Sequence, residues 1–144
     1  MVLLTMASCL ILSSVALASP QLGLRAGLTV DPDQFHFGGH LDLGQVLPPL
    51  RLVPNVEFGF SSDLTFIALN GDLLYDFQDT PWSVGGELGL NFIDPDFGNS
   101  QTDLGLSVLG DYRLRLDSGK TLLLEAKIGL VDSPDFKFTV GWNF

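Results

Sequence analysis

From Gln21 onward the chain alternates apolar and polar residues almost one by one, and that period of two limits what it can fold into. Successive side chains of a strand point to opposite faces, so a sustained period of two marks a sheet with one apolar and one polar face. The end of the chain shows it most cleanly. Phe136, Phe138, Val140, Trp142 and Phe144 share one face, while Lys137, Thr139, Gly141 and Asn143 share the other. The pattern returns over a longer span, where Leu104, Leu106, Val108, Tyr112, Leu114 and Leu116 oppose Asp103, Gly105, Ser107, Asp111, Arg113 and Arg115. A helical period is sustained nowhere between Gln21 and Phe144.

The alternation divides into segments at 21–30, 35–44, 51–60, 64–77, 82–93, 102–116, 121–131 and 135–144. Clusters of Gly, Pro, Asp, Asn and Ser separate them, which is the chemistry of turns. An even number of strands with short links predicts an all-β, eight-stranded antiparallel up-and-down barrel. Such a barrel has two solutions of opposite polarity. In water the apolar face turns inward; in an outer membrane it meets lipid and the polar face fills the lumen.

Four observations choose the transmembrane β-barrel. The apolar face carries far more Leu and Phe than the lumen of an eight-stranded barrel can hold. Glycines crowd the polar face at 23, 27, 38, 44, 59, 85, 89, 105, 129 and 141, where a narrow lumen needs space and a solvated sheet does not. The aromatics of the apolar face fall into two groups if both termini lie on one rim. Tyr75, Phe77, Trp82, Tyr112, Trp142 and Phe144 gather there, and Phe35, Phe37, Phe58, Phe60, Phe92, Phe136 and Phe138 gather on the other. Ala26, Leu41, Val56, Leu69, Leu88, Val108 and Ile128 make an aliphatic band between these two membrane-interface belts. Finally, the strands reach the roughly 9–11 tilted residues that cross the hydrocarbon core.

Residues 1–18 are uncharged and end in Ala16-Leu17-Ala18, the small-x-small pattern of a signal-peptidase site. They predict an N-terminal signal peptide and export, with the barrel domain at 19–144. Cys9, the only cysteine, falls within the removed segment, so the mature domain has neither disulfides nor thiolate metal ligands. Composition agrees. With 17 acidic and 7 basic side chains the formal net charge is −10, which disfavours nucleic-acid binding. A mean hydropathy of +0.32 is high for so acidic a chain, and a barrel with lipid outside and charge inside reconciles the two.

The polar face holds Arg25, Asp42, Glu57, Asp72, Glu87, Asp111, Arg113, Arg115, Glu125 and Lys127, with His36 and His40. Charges withdrawn from water must be paired, so these residues predict a luminal ion network. Its expected centre is Arg25, Glu57, Glu87, Arg113, Glu125 and Lys127. His36 and His40 lie about 13 Å apart along one strand, too far to share an ion without other ligands. Ser83, Ser107, the histidines and Asp42 show no spacing that links them into a catalytic group, so no catalytic residues, no cofactor and no enzyme are expected. Asp31, Asp33, Asp132 and Asp135 lie in Asp-Pro loops that suit tight turns. They are also candidates for weak Ca²⁺ or Mg²⁺ binding that could bridge to lipopolysaccharide phosphates. The outer loops hold Asp31, Asp33, Asp63, Asp94, Asp96 and Asp132 and no base.

The terminal run Phe136-Lys137-Phe138-Thr139-Val140-Gly141-Trp142-Asn143-Phe144 resembles the C-terminal insertion signal of bacterial outer-membrane barrels, carried by Phe136, Phe138, Val140, Trp142 and Phe144. Together with Pro54-Asn55-Val56-Glu57-Phe58-Gly59, Gly85-Gly86-Glu87-Leu88-Gly89-Leu90-Asn91-Phe92 and Asp103-Leu104-Gly105-Leu106, it is similar to the outer-membrane protein β-barrel domain family. That family includes small opacity-protein-like and surface-antigen-like barrels. The resemblance implies a monomer in the bacterial cell outer membrane, surrounded by lipid and lipopolysaccharide and delivered by the barrel-insertion machinery. Side chains fill the lumen of an eight-stranded barrel, so a closed, charge-filled lumen and a structural or surface-exposed role are expected. Adhesion is not carried over, because the loops here are very short. The alternatives are a narrow channel for small solutes and a soluble periplasmic lipid-binding barrel.

Overall fold

The computed structural model describes residues 19–62, 64–95 and 98–144. The signal-peptide reading at 1–18 lies outside them, as do Asp63 and Asp96. Nine strands follow in chain order: β1 (Gln21–Val30), β2 (Gln34–Asp42), β3 (Gln45–Leu47), β4 (Leu50–Phe60), β5 (Leu64–Asp76), β6 (Trp82–Pro95), β7 (Gln101–Arg115), β8 (Thr121–Val131) and β9 (Phe136–Asn143). From β4 to β9 each pairs antiparallel with the next, while β2 pairs with both β1 and β4. Pairing of β1 with β9, from Gly23↔Asn143 to Val30↔Phe136, closes the barrel with eight staves. The expected architecture is the one observed.

The remaining strand, β3, is a detail that alternation did not reveal. Gly44, read as a luminal glycine, instead adopts a left-handed φ of 71° in a bulge just beyond β2. There Leu43 N–H donates to the Leu52 carbonyl at 3.0 Å and Leu52 N–H donates to that of Gly44 at 3.2 Å. The chain then resumes as β3 along the foot of β4, until Pro48 and Pro49, which have no N–H to donate, end the ladder. This hairpin stands on the rim that also carries Gln21 and Asn143, called here the terminal rim. Leu41, expected in the middle band, pairs with Leu22 near that rim.

Burial is inverted relative to a water-soluble protein. Lys127 is 2% exposed and Glu57 fully enclosed, whereas Leu22 is 63% and Trp82 56% exposed. Exposed Leu, Val, Ile and Phe continue around every stave, from Leu24 and Leu28 on β1 to Phe138 and Val140 on β9. Soluble monomers rarely show contiguous apolar patches beyond a few hundred Å². A wall of this kind is stable where its surroundings are not water.

Glycine makes room inside. A methyl group at Gly23 would collide with the His40 imidazole, and one at Gly89 with the Asn70 amide. The lumen is not wholly polar, however. Val53, Leu74 and Leu109 pack together there, each at most 5% exposed, and Leu123 is buried as well.

Candidate functional site: the charged lumen

Inward positions of the staves bring charged side chains into two clusters at different heights. The upper cluster is built on β1, β4, β5, β6, β8 and β9. Arg25 Nη1 lies 3.1 Å from Glu57 Oε1, 3.5 Å from Glu125 Oε1 and 3.7 Å from Asp72 Oδ2. Lys127 Nζ meets Glu125 Oε1 at 3.1 Å, Asp72 Oδ1 at 3.5 Å, and Glu87. Lys137 pairs with Glu57 from the last strand. Burial makes each unpaired charge costly, so carboxylates that contact two cations are what a dry lumen requires.

The second cluster lies toward the terminal rim. Arg51 uses all three guanidinium nitrogens: Nη1 to Asp42 at 3.1 Å, Nε to Asp76 at 3.1 Å and Nη2 to Asp111 at 3.0 Å. Arg113 Nη2 joins Asp76 at 3.2 Å, and Ser83 Oγ donates to Asp76 Oδ1 at 2.7 Å. The planar fork of arginine suits this work, since its donors are fixed and lose little freedom when several are engaged.

Five of the six residues expected at the network centre, Arg25, Glu57, Glu87, Glu125 and Lys127, lie together in the upper cluster. Arg113 does not. The register pairs Glu87 with Ser107, and Arg113 lies six residues further along β7, about 20 Å by strand rise. Alternation assigns a face but not a height. Six charged members of the clusters, Asp42, Arg51, Asp72, Asp76, Asp111 and Lys137, were not among those expected at the centre. Arg51 shares its parity with Glu57, and Asp76 with Asp72, so the signal that could have found them was present.

The histidines serve separate contacts. His36 lies between Thr29 Oγ1 and Thr139 Oγ1, each at 3.0 Å. Arg25 Nε–H donates to His40 Nδ1 at 3.4 Å, which leaves Nε2–H to donate to Asn143 Oδ1. Neither ring hydrogen-bonds Ser83 or Ser107, and both serines are buried away from the outer wall.

The terminal rim opens into a mouth of about 870 Å³ lined by Gln21, Asp42, Arg113, Arg115, Thr121 and Asn143. Deeper in, the gap between the two clusters is only about 10 Å³, bounded by Arg25, Arg51, Val53, Leu74, Leu123 and Glu125. That is roughly the space of one water molecule.

On the outer wall Tyr75, Trp82 and Phe144 are exposed, and Tyr112 and Trp142 half-buried, all toward the terminal rim. Trp82 packs edge-on against Tyr112 with centroids 4.7 Å apart. Toward the opposite rim Phe37 contacts Phe58 at 5.8 Å and Phe60 at 5.7 Å. The acidic loops there have a backbone explanation. Asp31 and Asp132 hold left-handed φ values of 51° and 42°, which Asp tolerates better than most side chains. The first and last loops do meet, with Asp135 N–H donating to the Asp31 carbonyl at 3.4 Å. Yet among the described residues no three acidic, His or Cys side chains converge as a cation site.

No family model matches the chain, and no curated protein matches it in sequence. Solved structures do share its architecture. Neisserial surface protein A superposes with a TM-score of 0.66 over 86% of this chain and 94% of its own, at 16% identity. Ail of Yersinia pestis, solved in a phospholipid bilayer nanodisc, gives 0.57 over 88% and 99% at 9% identity. The N-terminal β-barrel domain of Pseudomonas aeruginosa OprF gives 0.54 over 87% and 96% at 11% identity. At such identities the likeness is one of fold. This chain has the closed antiparallel barrel of small outer-membrane proteins.

Proposed function

We propose that the protein is a small integral protein of the bacterial outer membrane whose sealed, ion-paired lumen serves a structural or surface-exposed role and no catalysis. The inverted burial carries this reading: lipid is the environment that stabilises an apolar outer wall and leaves a polar interior enclosed. Residues 1–18 would direct export. The alternating residues Phe136, Phe138, Val140, Trp142 and Phe144 would present the last strand to the insertion machinery. Tyr75, Trp82, Tyr112, Trp142 and Phe144 would form the belt at one lipid–water interface, the phenylalanines of the opposite rim the other, facing lipopolysaccharide. The chain would function as a monomer, since the closed sheet has no free edge along its staves.

Gel mobility tests the membrane reading. The purified protein is expected to migrate differently in SDS before and after boiling, because the detergent-stable barrel is more compact than the unfolded chain. Identical mobility, with a protein that stays monodisperse without detergent, would support the soluble lipid-binding alternative. The channel alternative is tested separately. With only about 10 Å³ between the clusters, planar bilayers containing the protein are expected to show no stable single-channel steps. Reproducible steps would overturn the sealed lumen.

A further inference from the structure

Six of the seven basic side chains face inward or line the mouth. Arg25, Arg51, Arg113, Lys127 and Lys137 are paired with carboxylates inside the barrel. Arg115 follows Arg113 on the same side of β7 and lines the mouth. Lys120 differs. It precedes β8 in phase with Leu122 and Leu124, which face outward, and it is exposed. Its ammonium stands 5.7 Å from the Trp142 ring centroid and 5.9 Å from that of Phe144. No ion pair to Lys120 occurs among the described residues.

The two rings hold the ammonium by cation–π attraction at the level where the apolar wall ends. An exposed ammonium beside aromatic rings suits a membrane boundary, where long basic side chains can keep the stem on apolar surface and the head in water. Asp117, in the same turn between β7 and β8, makes no ion pair with Lys120. The terminal rim mixes bases with acids such as Asp79 and Asp117, whereas the opposite rim has Asp31, Asp33, Asp94, Asp132 and Asp135 and no base among the described residues.

We propose that Lys120, Trp142 and Phe144 form a docking site for the phosphate of an anionic phospholipid in the leaflet at the terminal rim. The inference rests on the membrane-spanning reading. The phosphate would sit against Lys120 Nζ, and an acyl chain would run up the wall over Leu122 and Leu24, which flank Trp142 in the sheet. A zwitterionic lipid carries its own cation beside the phosphate and competes poorly for this ammonium. Free phosphate has no chain to contribute apolar contact. One basic side chain near an anionic surface corresponds to an enrichment of about fivefold.

Fluorescence of Trp142 reads this directly. The chain has two tryptophans, so Trp82→Phe leaves Trp142 as the sole reporter. The barrel is reconstituted in phosphatidylcholine vesicles that contain a small fraction of brominated phosphatidylglycerol or, in parallel, brominated phosphatidylcholine. Quenching by the anionic lipid should exceed that by the zwitterionic one by about fivefold in apparent local concentration. Lys120→Gln should abolish the excess, Lys120→Arg should retain it, and inorganic phosphate should not compete. Equal quenching by both lipids would overturn the docking site while leaving the membrane reading intact. An excess that survives Lys120→Gln would also overturn it, as would one removed by inorganic phosphate. Absence of quenching by either lipid would overturn both readings.

Discussion

Replacing Glu57 by alanine is expected to destabilise the folded barrel by about 3–5 kcal/mol, the cost of leaving buried charges without their partner. Glu57 is fully enclosed, with Arg25 Nη1 at 3.1 Å on one oxygen and Lys137 on the other. Its removal leaves two cations short of a counter-charge inside the barrel, where the gap beside Arg25 is only about 10 Å³. Glu57→Gln keeps the volume and one acceptor, so it should cost less than Glu57→Ala. Urea titration of the lipid-reconstituted barrel, followed by tryptophan fluorescence, measures both. A loss below about 1 kcal/mol would mean that the cluster is hydrated like a surface ion pair. The same assay resolves the height of the network. Glu57 and Lys137 should show strong coupling in a double-mutant cycle, whereas Glu87 and Arg113, in different clusters, should be additive.

Arginine placed on the outer wall should be tolerated or rejected according to depth. Leu69 is 50% exposed in the middle of β5, flanked in the sheet by Val56 and Leu90. Leu69→Arg would put a cation at the centre of the hydrocarbon band, at a cost of about 2–4 kcal/mol, while Leu22→Arg at the terminal rim should cost about 0–1 kcal/mol. In a barrel surrounded by water neither change would matter, because both leucines already face outward. The difference between the two variants therefore measures the position of lipid on the wall. Equal, small effects would overturn the transmembrane assignment.

Most of the fold was legible because one variable, residue parity, carries both strand identity and facing. The last stave shows it: Phe136 to Phe144 alternate without exception, and the structure places Lys137, Thr139 and Asn143 inward as that alternation requires. Parity fails where the chain leaves the strict period. The bulge at Leu43-Gly44 lets β2 resume as β3, and a single glycine after Leu43, in phase with Asp42, does not announce it. Parity also carries no information on height. Arg113 and Glu87 face the same lumen, yet which carboxylate each cation reaches depends on stagger between strands. Burial of Val53, Leu74 and Leu123 was obscured for another reason, since in consecutive apolar residues such as Leu73-Leu74 and Leu122-Leu123-Leu124 parity alone must decide which one turns inward.

The seam between β1 and β9 has a consequence for assembly. Gly23 and Asn143 meet there although almost the whole barrel separates them along the chain. Contacts of such long sequence separation form slowly, because the chain must be brought together before they repay the entropy lost. No smaller closed sheet precedes this one; until β9 arrives, two raw edges remain available to any strand nearby. The arriving strand also carries Lys137, so closure of the sheet and delivery of the second counter-ion to Glu57 are a single event. A chain stopped before its last stave would be left with open edges and an under-compensated interior together. Arrival of β9 is thus the step at which the sheet closes and its interior charges become compensated.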